Sequence, residues 1–243
     1  MPIRKEKFFP GGIFHIFNRG NWKQDIFYND GDRYRFLQAM LLANNSKSFL
    51  SVEQLERSKN GYTLTDIKTI LAENKIIFDP LVKIYTDCLM FNHYHFLLEE
   101  LKAGGISLFM KKLGIGYAKY FTTKYKRPGS LFQGRFKSVQ VKTDGQLMHL
   151  LAYINIINPA QLIEPGLKEE GIKNFEKVWK FADGYNWSTH QELMGRRDSI
   201  LINKNEILEK TFSSIEKYAN FVKDVLYGKR NRIWSSIDGL CLE

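Results

Sequence analysis

The stretch FNHYHFLLEE, residues Phe91–Glu100, places two histidines one residue apart in an otherwise apolar run. Successive side chains of a β-strand point to opposite faces of the sheet. His93 and His95 are therefore predicted to share one face, while Tyr94 and Phe96 lie on the other. Two imidazoles about 7 Å apart along one strand face can hold a cation, or the spacing can be coincidental.

Strand and helix patterns around this stretch predict an α+β fold. Strand character occurs in residues 12–21, 79–91, 93–100 and 131–143, and helical spacing occurs in residues 30–44, 64–74, 105–124 and 144–158. A tight turn at Asn92 joins two of the strands, so they are expected to pair in antiparallel fashion. Because the longer helices can cover one sheet face, we expect a ferredoxin-like antiparallel sheet with helices packed on it.

The sequence also predicts domain and helix boundaries. One domain is expected to span residues 1–185, and residues 186–243 are expected to form a helical C-terminal extension. Thr65 or Asp66 is the expected N-cap of the second predicted helix. Pro159 is expected to end the fourth predicted helix, since proline cannot donate a backbone hydrogen bond.

The composition of the 243 residues favours a nucleic-acid partner. Lysine and arginine number 36 against 26 acidic residues, which gives a net charge of +10, and aromatic residues make up 14% of the chain. Cations neutralise phosphates, and aromatic rings stack on bases. A basic enzyme with an ordinary solvated surface is the alternative interpretation of the same numbers.

Other composition features bear on location. No apolar run approaches the roughly 20 residues that cross a bilayer, and the N-terminal residues show no apolar signal segment. The two cysteines, Cys88 and Cys241, are too few for a disulfide framework. We therefore expect a cytoplasmic protein with no membrane partner.

A second motif, MHLLAYINIINPA, covers residues 148–160 and has helical spacing. Leucine and isoleucine residues form its apolar stripe. At about 100° per residue, Tyr153 falls at the edge of this stripe, where its hydroxyl group can reach the neighbouring sheet. A border tyrosine that only packs its ring is the alternative interpretation.

Five blocks now occur in order along the chain. They are HIFNRGN at 15–21, CLMFNHYHFLL at 88–98, GSLFQGRFKS at 129–138, LLAYINIINPA at 150–160 and YNWS at 185–188. Together they resemble the HUH-type single-tyrosine transposases, in particular the REP-associated tyrosine transposases, over about residues 10–225. The resemblance implies a ferredoxin-like fold that cuts and rejoins single-stranded DNA with a tyrosine nucleophile and Mg²⁺ or Mn²⁺. It also implies hairpin-bearing single strands as partners, bound by a monomer or a homodimer.

The resemblance carries over to individual residues of this chain. His93 and His95 match the metal-binding histidines, and Tyr153 matches the catalytic tyrosine. The candidate DNA contacts are polar or basic, and each can equally be a solvated surface group: Asn18, Arg19, Lys112, Arg127, Arg135 and Lys137.

The chain departs from the family pattern at two places. Phe91 stands where the family usually has proline, and four residues rather than three separate Tyr153 from Asn158. Asn158 remains the expected third metal ligand if a π-type turn absorbs the extra residue. His149, four residues before Tyr153 and on the same helix face, is the alternative ligand.

Three functions remain open at this point. The first is a metal-dependent single-stranded DNA endonuclease and strand transferase that forms a covalent phosphotyrosine intermediate. The second is a non-catalytic or domesticated nucleic-acid-binding protein that keeps the fold. The third is a metallohydrolase in which the histidines activate water and Tyr153 only packs.

Overall fold

The computed structural model describes residues 7–47, 63–73, 77–170 and 172–228. The end of the predicted extension, residues 229–243, lies outside the described residues, and Cys241 lies there with it. Among the helices of the described residues, none is long and apolar enough to cross a bilayer.

Four antiparallel strands form one sheet. They are β1 (Ile13–Arg19), β2 (Val82–Leu89), β3 (His93–Glu100) and β4 (Lys137–Gln140). The strand order across the sheet is β2-β3-β1-β4. With one long helix after β1 and another after β3, this is the β-α-β-β-α-β arrangement of a ferredoxin-like fold, and the predicted α+β class is confirmed.

The helices follow the chain around this sheet. They are α1 (Asp30–Ala43), α2 (Leu64–Glu73), α3 (Gly105–Tyr125), α4 (Asp144–Ala152), a π-helical turn (Tyr153–Ile157), α5 (Asn158–Ala160), α6 (Leu167–Glu170), α7 (Phe175–Gly184), α8 (His190–Leu193), α9 (Lys204–Thr211) and α10 (Ile215–Gly228). Helices α1 and α3 share one apolar core with the strand side chains of Tyr94 and Phe96. They cover the sheet face that lies opposite the histidine pair.

The histidine-bearing face of the sheet packs against α4 and the C-terminal helices. Leu97 of β3, Leu150 and Leu151 of α4, and Tyr218 of α10 are buried in one apolar cluster. The segment 187–189 runs beside β2, where the backbone N–H of Leu89 donates to the carbonyl of Trp187 at 2.8 Å. This contact covers the edge strand β2. The expected boundary between residues 185 and 186 stays a prediction.

Three local expectations were wrong, and the first of them concerns the N-cap of α2. Thr63, not Thr65 or Asp66, caps α2: its hydroxyl accepts from the N–H of Asp66 at 3.1 Å, and its own N–H donates to the Asp66 carboxylate at 2.7 Å. This reciprocal pair is a capping box, in which Asp66 takes the third position of the helix.

The fourth strand and the fourth helix also differ from expectation. Strand β4 is only four residues long, because the chain before it forms a loop in which Gly134 accepts a hydrogen bond from the Asn18 side chain at 3.1 Å. Pro159 does not end the helix, which continues to Ala160. After the π turn, Pro159 occupies a first-turn position, where a helix needs no N–H donor.

Candidate metal and nucleophile site

The two predicted metal histidines lie on the same face of β3. Their ring centroids are 5.1 Å apart, and the ring planes are nearly perpendicular. Strand β1 pairs with β3 so that Phe17 lies opposite His95 and Arg19 lies opposite His93. Lys137 of β4 lies beside Phe17 in the same row of the sheet. The pairing therefore surrounds the histidines with two basic residues from neighbouring strands.

The side chain of Asn92 holds His93. Its Oδ1 atom lies 2.6 Å from Nδ1 of His93, and its Nδ2 atom donates to the carbonyl oxygen of Lys23 at 3.0 Å. A carboxamide oxygen only accepts, so Nδ1 of His93 carries the proton. The ring would then bind a cation through Nε2.

His15 of β1 holds His95 in a corresponding way. Its Nε2 atom lies 2.9 Å from Nδ1 of His95, and the two rings stack with centroids 5.1 Å apart. Metal-bound histidines usually donate their second ring N–H to such a partner, which fixes the ring and its tautomer. Sequence reasoning missed His15. The alternation IFHIFNR places it on the face of Phe17 and Arg19, but its contact with His95 depends on the pairing of β1 with β3.

Tyr153 lies against the same histidines. Its ring centroid is 5.7 Å from that of His95 and 6.3 Å from that of His15, both in edge-to-face geometry. The side chain is only 1% exposed, yet it lines the cavity that the histidines line. The predicted position of Tyr153 facing the sheet is therefore observed, with a more buried ring than expected.

A π-helical turn begins at Tyr153, as expected from the extra residue that this chain has between Tyr153 and Asn158 relative to the family pattern. The backbone N–H of Asn158 donates to the carbonyl oxygen of Tyr153, five residues earlier. Asn155 anchors this turn: its Oδ1 atom accepts from the Thr86 hydroxyl of β2 at 2.9 Å, and its Nδ2 atom donates to the Leu151 carbonyl at 2.8 Å. The buried amide thereby ties the widened turn to the sheet.

The two candidates for the third ligand lie in different surroundings. Asn158 is fully buried, and its Oδ1 atom accepts from Nε2 of Gln161 at 3.1 Å. Its Nδ2 atom has no hydrogen-bond partner within the described part of the chain. His149 packs its ring on Phe221 of α10 at 5.3 Å, and burial lowers its pKa. Neither is among the residues that line the cavity, so both ligand assignments stay predictions.

Gln161 is a further residue that sequence reasoning missed. It lines the cavity together with Tyr153, although it lies eight residues further along the chain. The π turn absorbs one of these eight residues, and the remaining seven make about two α-helical turns, so the two side chains come near one face. That spacing was the signal in the sequence.

The cavity has a volume of about 320 Å³ and brings most predicted site residues together. His93, His95 and Tyr153 line it with four candidate DNA contacts, namely Asn18, Arg19, Arg135 and Lys137. Asn18 also holds the neighbouring loop through Gly134, as described above.

Two predicted DNA contacts are engaged elsewhere. Lys112 donates from Nζ to the carbonyl oxygen of Asn45 at 2.6 Å, and burial lowers the pKa of its ammonium group. Arg127 bonds to the side chain of Gln24. Neither residue lines the cavity.

The donor set suits a divalent cation completed by oxygen ligands. No cluster of three histidine, cysteine or acidic side chains that could hold a metal occurs among the described residues. The histidine pair therefore needs an amide oxygen, water or substrate oxygen as a further ligand. Exchanging the nitrogen and oxygen of the Asn158 amide, together with those of Gln161, would keep their hydrogen bond and place an acceptor where the Asn158 nitrogen has no partner among the described residues.

Comparisons with known proteins give only distant likenesses. No family model and no curated protein matches this chain. One similar solved structure is a REP-associated tyrosine transposase bound to a REP hairpin, with a TM-score of 0.45, 12% identity, and coverage of 84% of this chain and 98% of that one. Another is the tRNA(His) guanylyltransferase of Saccharomyces cerevisiae, with a TM-score of 0.35, 10% identity, and coverage of 86% and 80%. Likenesses of this degree decide nothing about function.

Proposed function

We propose that this protein is a metal-dependent single-stranded DNA endonuclease and strand transferase with Tyr153 as its nucleophile. The observation that carries the proposal is the shared cavity, in which Tyr153 lies edge-on to His95 and basic residues border both. A tyrosine beside paired imidazoles and phosphate-binding cations has the groups that phosphodiester transfer needs.

The metal would be Mg²⁺ or Mn²⁺, held by Nε2 of His93, Nε2 of His95 and the amide oxygen of Asn158. Mn²⁺ tolerates imidazole ligands better than Mg²⁺ does. When bound, the cation would neutralise charge on a non-bridging phosphate oxygen. The contacts of Asn92 and His15 would keep both imidazoles in the tautomer that ligation requires.

The remaining steps belong to the chain's own residues. Arg19, Arg135 and Lys137 would bind the phosphates of a strand laid across the cavity. The Tyr153 oxygen would form a bond to phosphorus while the strand oxygen leaves with a proton. Reversal of this exchange by the end of another strand would release the tyrosine and rejoin the DNA. Since the intermediate keeps a phosphodiester bond, rejoining needs no external energy source.

A non-catalytic nucleic-acid-binding protein is the second candidate. The burial of Tyr153 favours it, because a ring that is 1% exposed also fits a packing role. A metallohydrolase that uses the histidines with water is the third candidate, and the same observation favours it. The second and third candidates differ from the first in one product, because only the first forms a covalent protein–DNA adduct.

The test is incubation of the full chain with Mn²⁺ and a library of hairpin-bearing single strands, followed by isolation of protein–DNA adducts under denaturing conditions. We expect an adduct on Tyr153 that depends on metal and is absent with chelator. Fully paired duplexes of the same sequences should give little adduct, because pairing keeps the strand out of the site. Binding without adduct would favour the second candidate, and turnover without adduct would favour the third.

A further inference from the structure

Trp22 is the most exposed large apolar residue of the described part of the chain. It lies in a short turn, Asn21–Lys23, just after β1, and it is 85% exposed. Both Trp22 (φ 55°) and Lys23 (φ 58°) have left-handed backbone conformations, which bulky residues rarely adopt. This backbone is strained, and it presents the indole to solvent.

The turn is held firmly despite its strain. The N–H of Gly20 donates to the carbonyl of Asn92 at 2.8 Å, and the N–H of Asn21 donates to that of Leu131 at 2.9 Å. The Asn92 side chain also donates to the Lys23 carbonyl at 3.0 Å. Strain that surrounding contacts maintain in this way clusters at functional positions.

These contacts place the Trp22 turn near the segments that line the cavity. Asn92 is the residue that holds His93, and the loop after Leu131 contains Gln133 and Arg135, both of which line the cavity. The Trp22 turn therefore lies between the two segments that carry the proposed metal site and the proposed phosphate contacts.

We infer that Trp22 is a stacking platform for an unpaired base of the strand whose phosphate enters the cavity. This inference rests on the proposed function. Within the described residues the indole makes no ring contact with another aromatic side chain, in keeping with its 85% exposure. Cations flank it along the chain at Arg19 and Lys23, and a base needs an aromatic face with nearby phosphate contacts.

The charge around Trp22 favours a nucleobase over a membrane or a protein partner. Docking to a lipid surface or a protein normally uses a contiguous apolar patch. Trp22 is instead followed by Lys23, Gln24 and Asp25, with Arg127 bonded to Gln24. One aromatic face among polar and charged groups, in which basic side chains outnumber the single carboxylate of Asp25, suits a single base on a phosphate backbone.

The test compares two probes that differ only in their bases. The first is an oligothymidylate of about 20 nucleotides, longer than a usual single-strand site, and the second is an abasic strand of the same length. Trp22→Ala should weaken binding of the first about tenfold in fluorescence anisotropy, the loss expected for one stacked base. It should leave binding of the abasic strand unchanged, and Trp22→Phe should restore most of the affinity.

Tyr34→Ala provides the matched control. Tyr34 is also an exposed aromatic residue, at 60%, but it lines a different cavity beside α1. This variant should bind both strands as the wild type does. In addition, 5-iodouracil placed along the strand should crosslink to Trp22 on irradiation, which mass spectrometry of the digested protein would locate.

The outcomes separate the two proposals. If the wild type binds neither strand, the proposed function fails and the platform fails with it. If it binds the oligothymidylate but Trp22→Ala binds equally well, only the platform is overturned. Equal loss on both strands would also overturn the platform, because a purely structural effect of the turn would explain it. Crosslinking to another residue with none to Trp22 would contradict direct stacking.

Discussion

The Nε2 atom of His15 lies 2.9 Å from the Nδ1 atom of His95, on the inner side of the proposed metal site. His15 is fully buried, so this contact cannot be replaced by bulk water. A ring that binds metal through Nε2 carries its proton on Nδ1. In His95 this N–H would donate a hydrogen bond to Nε2 of His15. We therefore expect His15 to act as a positioning residue of the proposed metal site.

Replacing His15 should weaken metal binding while leaving the ligands in place. We expect His15→Phe to lower the affinity for Mn²⁺ by about 10–100-fold, since the Nδ1–H of His95 loses its acceptor. His15→Gln keeps an acceptor and should recover part of the affinity. Isothermal titration calorimetry measures both values without a turnover assay.

His190→Gln is the control for that experiment, because His190 is equally buried but contacts Tyr218 and Asp183 instead of the proposed metal site. The affinity of this variant for Mn²⁺ should match that of the wild type. Unchanged affinity in His15→Phe, with circular dichroism showing an intact fold, would rule out the positioning role.

The third ligand can be identified by the same titration. Asn158→Ala should lower Mn²⁺ affinity by more than roughly tenfold, the loss expected for removing a residue that only hydrogen-bonds to a metal ligand. Gln161→Ala, which removes the partner of the Asn158 amide, should have a smaller effect. If His149→Ala were the damaging change and Asn158→Ala harmless, the ligand would be His149.

Tyr153→Phe should abolish strand cleavage and leave binding of single strands within about threefold of the wild type. The phenol oxygen is the proposed nucleophile, and loss of a nucleophile costs more than about 1000-fold in rate. Denaturing gels of end-labelled strands measure cleavage, and anisotropy measures binding. Cleavage at the wild-type rate would refute a tyrosine mechanism.

The anchor of the π turn should matter for stability. Thr86→Val removes the hydroxyl that donates to Asn155 and leaves a buried amide oxygen without a partner. We expect a loss of about 1–3 kcal/mol in the free energy of unfolding, measured by urea denaturation. Ser188→Ala removes another buried hydroxyl near β2, but that hydroxyl has no hydrogen-bond partner among the described residues, so its removal should change little. Equal effects of the two variants would contradict the anchoring role.

His190 should make the stability depend on pH. Burial lowers its pKa to about 4, although the nearby Asp183 carboxylate, 2.9 Å from Nε2, acts in the opposite direction. In the unfolded chain the imidazole takes up a proton near pH 6.5, whereas the folded protein binds it only near pH 4. The stabilising contribution is therefore complete above pH 6.5 and is lost as the pH falls from 6.5 to 4.

The measurement is the difference in unfolding free energy between wild type and His190→Gln at each pH. Burial raises the pKa of Asp87 to about 6, and its titration changes stability in the opposite direction over the same range. This contribution is common to both proteins and cancels in the difference. The difference should shrink as the pH falls from 6.5 to 4, and one that stays constant would contradict the effect of burial.

Sequence patterns predicted the principal residues of the site better than the contacts that hold those residues in place. Strand alternation placed His93 and His95 on one face, and the extra residue between Tyr153 and Asn158, relative to the pattern of the resembled family, led to the expectation of a π turn. The contact of His15 with His95 depends on strand pairing between residues 80 positions apart, which local patterns do not contain. The exposed position of Trp22 depends on left-handed backbone at Trp22 and Lys23, and neither position is a glycine, the residue that usually indicates such a turn in a sequence.

The π turn between Tyr153 and Asn158 makes this helix unequally sensitive to insertions and deletions. Removing one residue from within the turn, other than the anchoring Asn155, would convert it to ordinary α-helix and leave the faces on either side aligned. Removing one residue from α4 would instead rotate Tyr153 by about 100° away from the histidines. A one-codon deletion is therefore expected to keep the helix faces of the site aligned at one point of this helix and to misalign them a turn earlier.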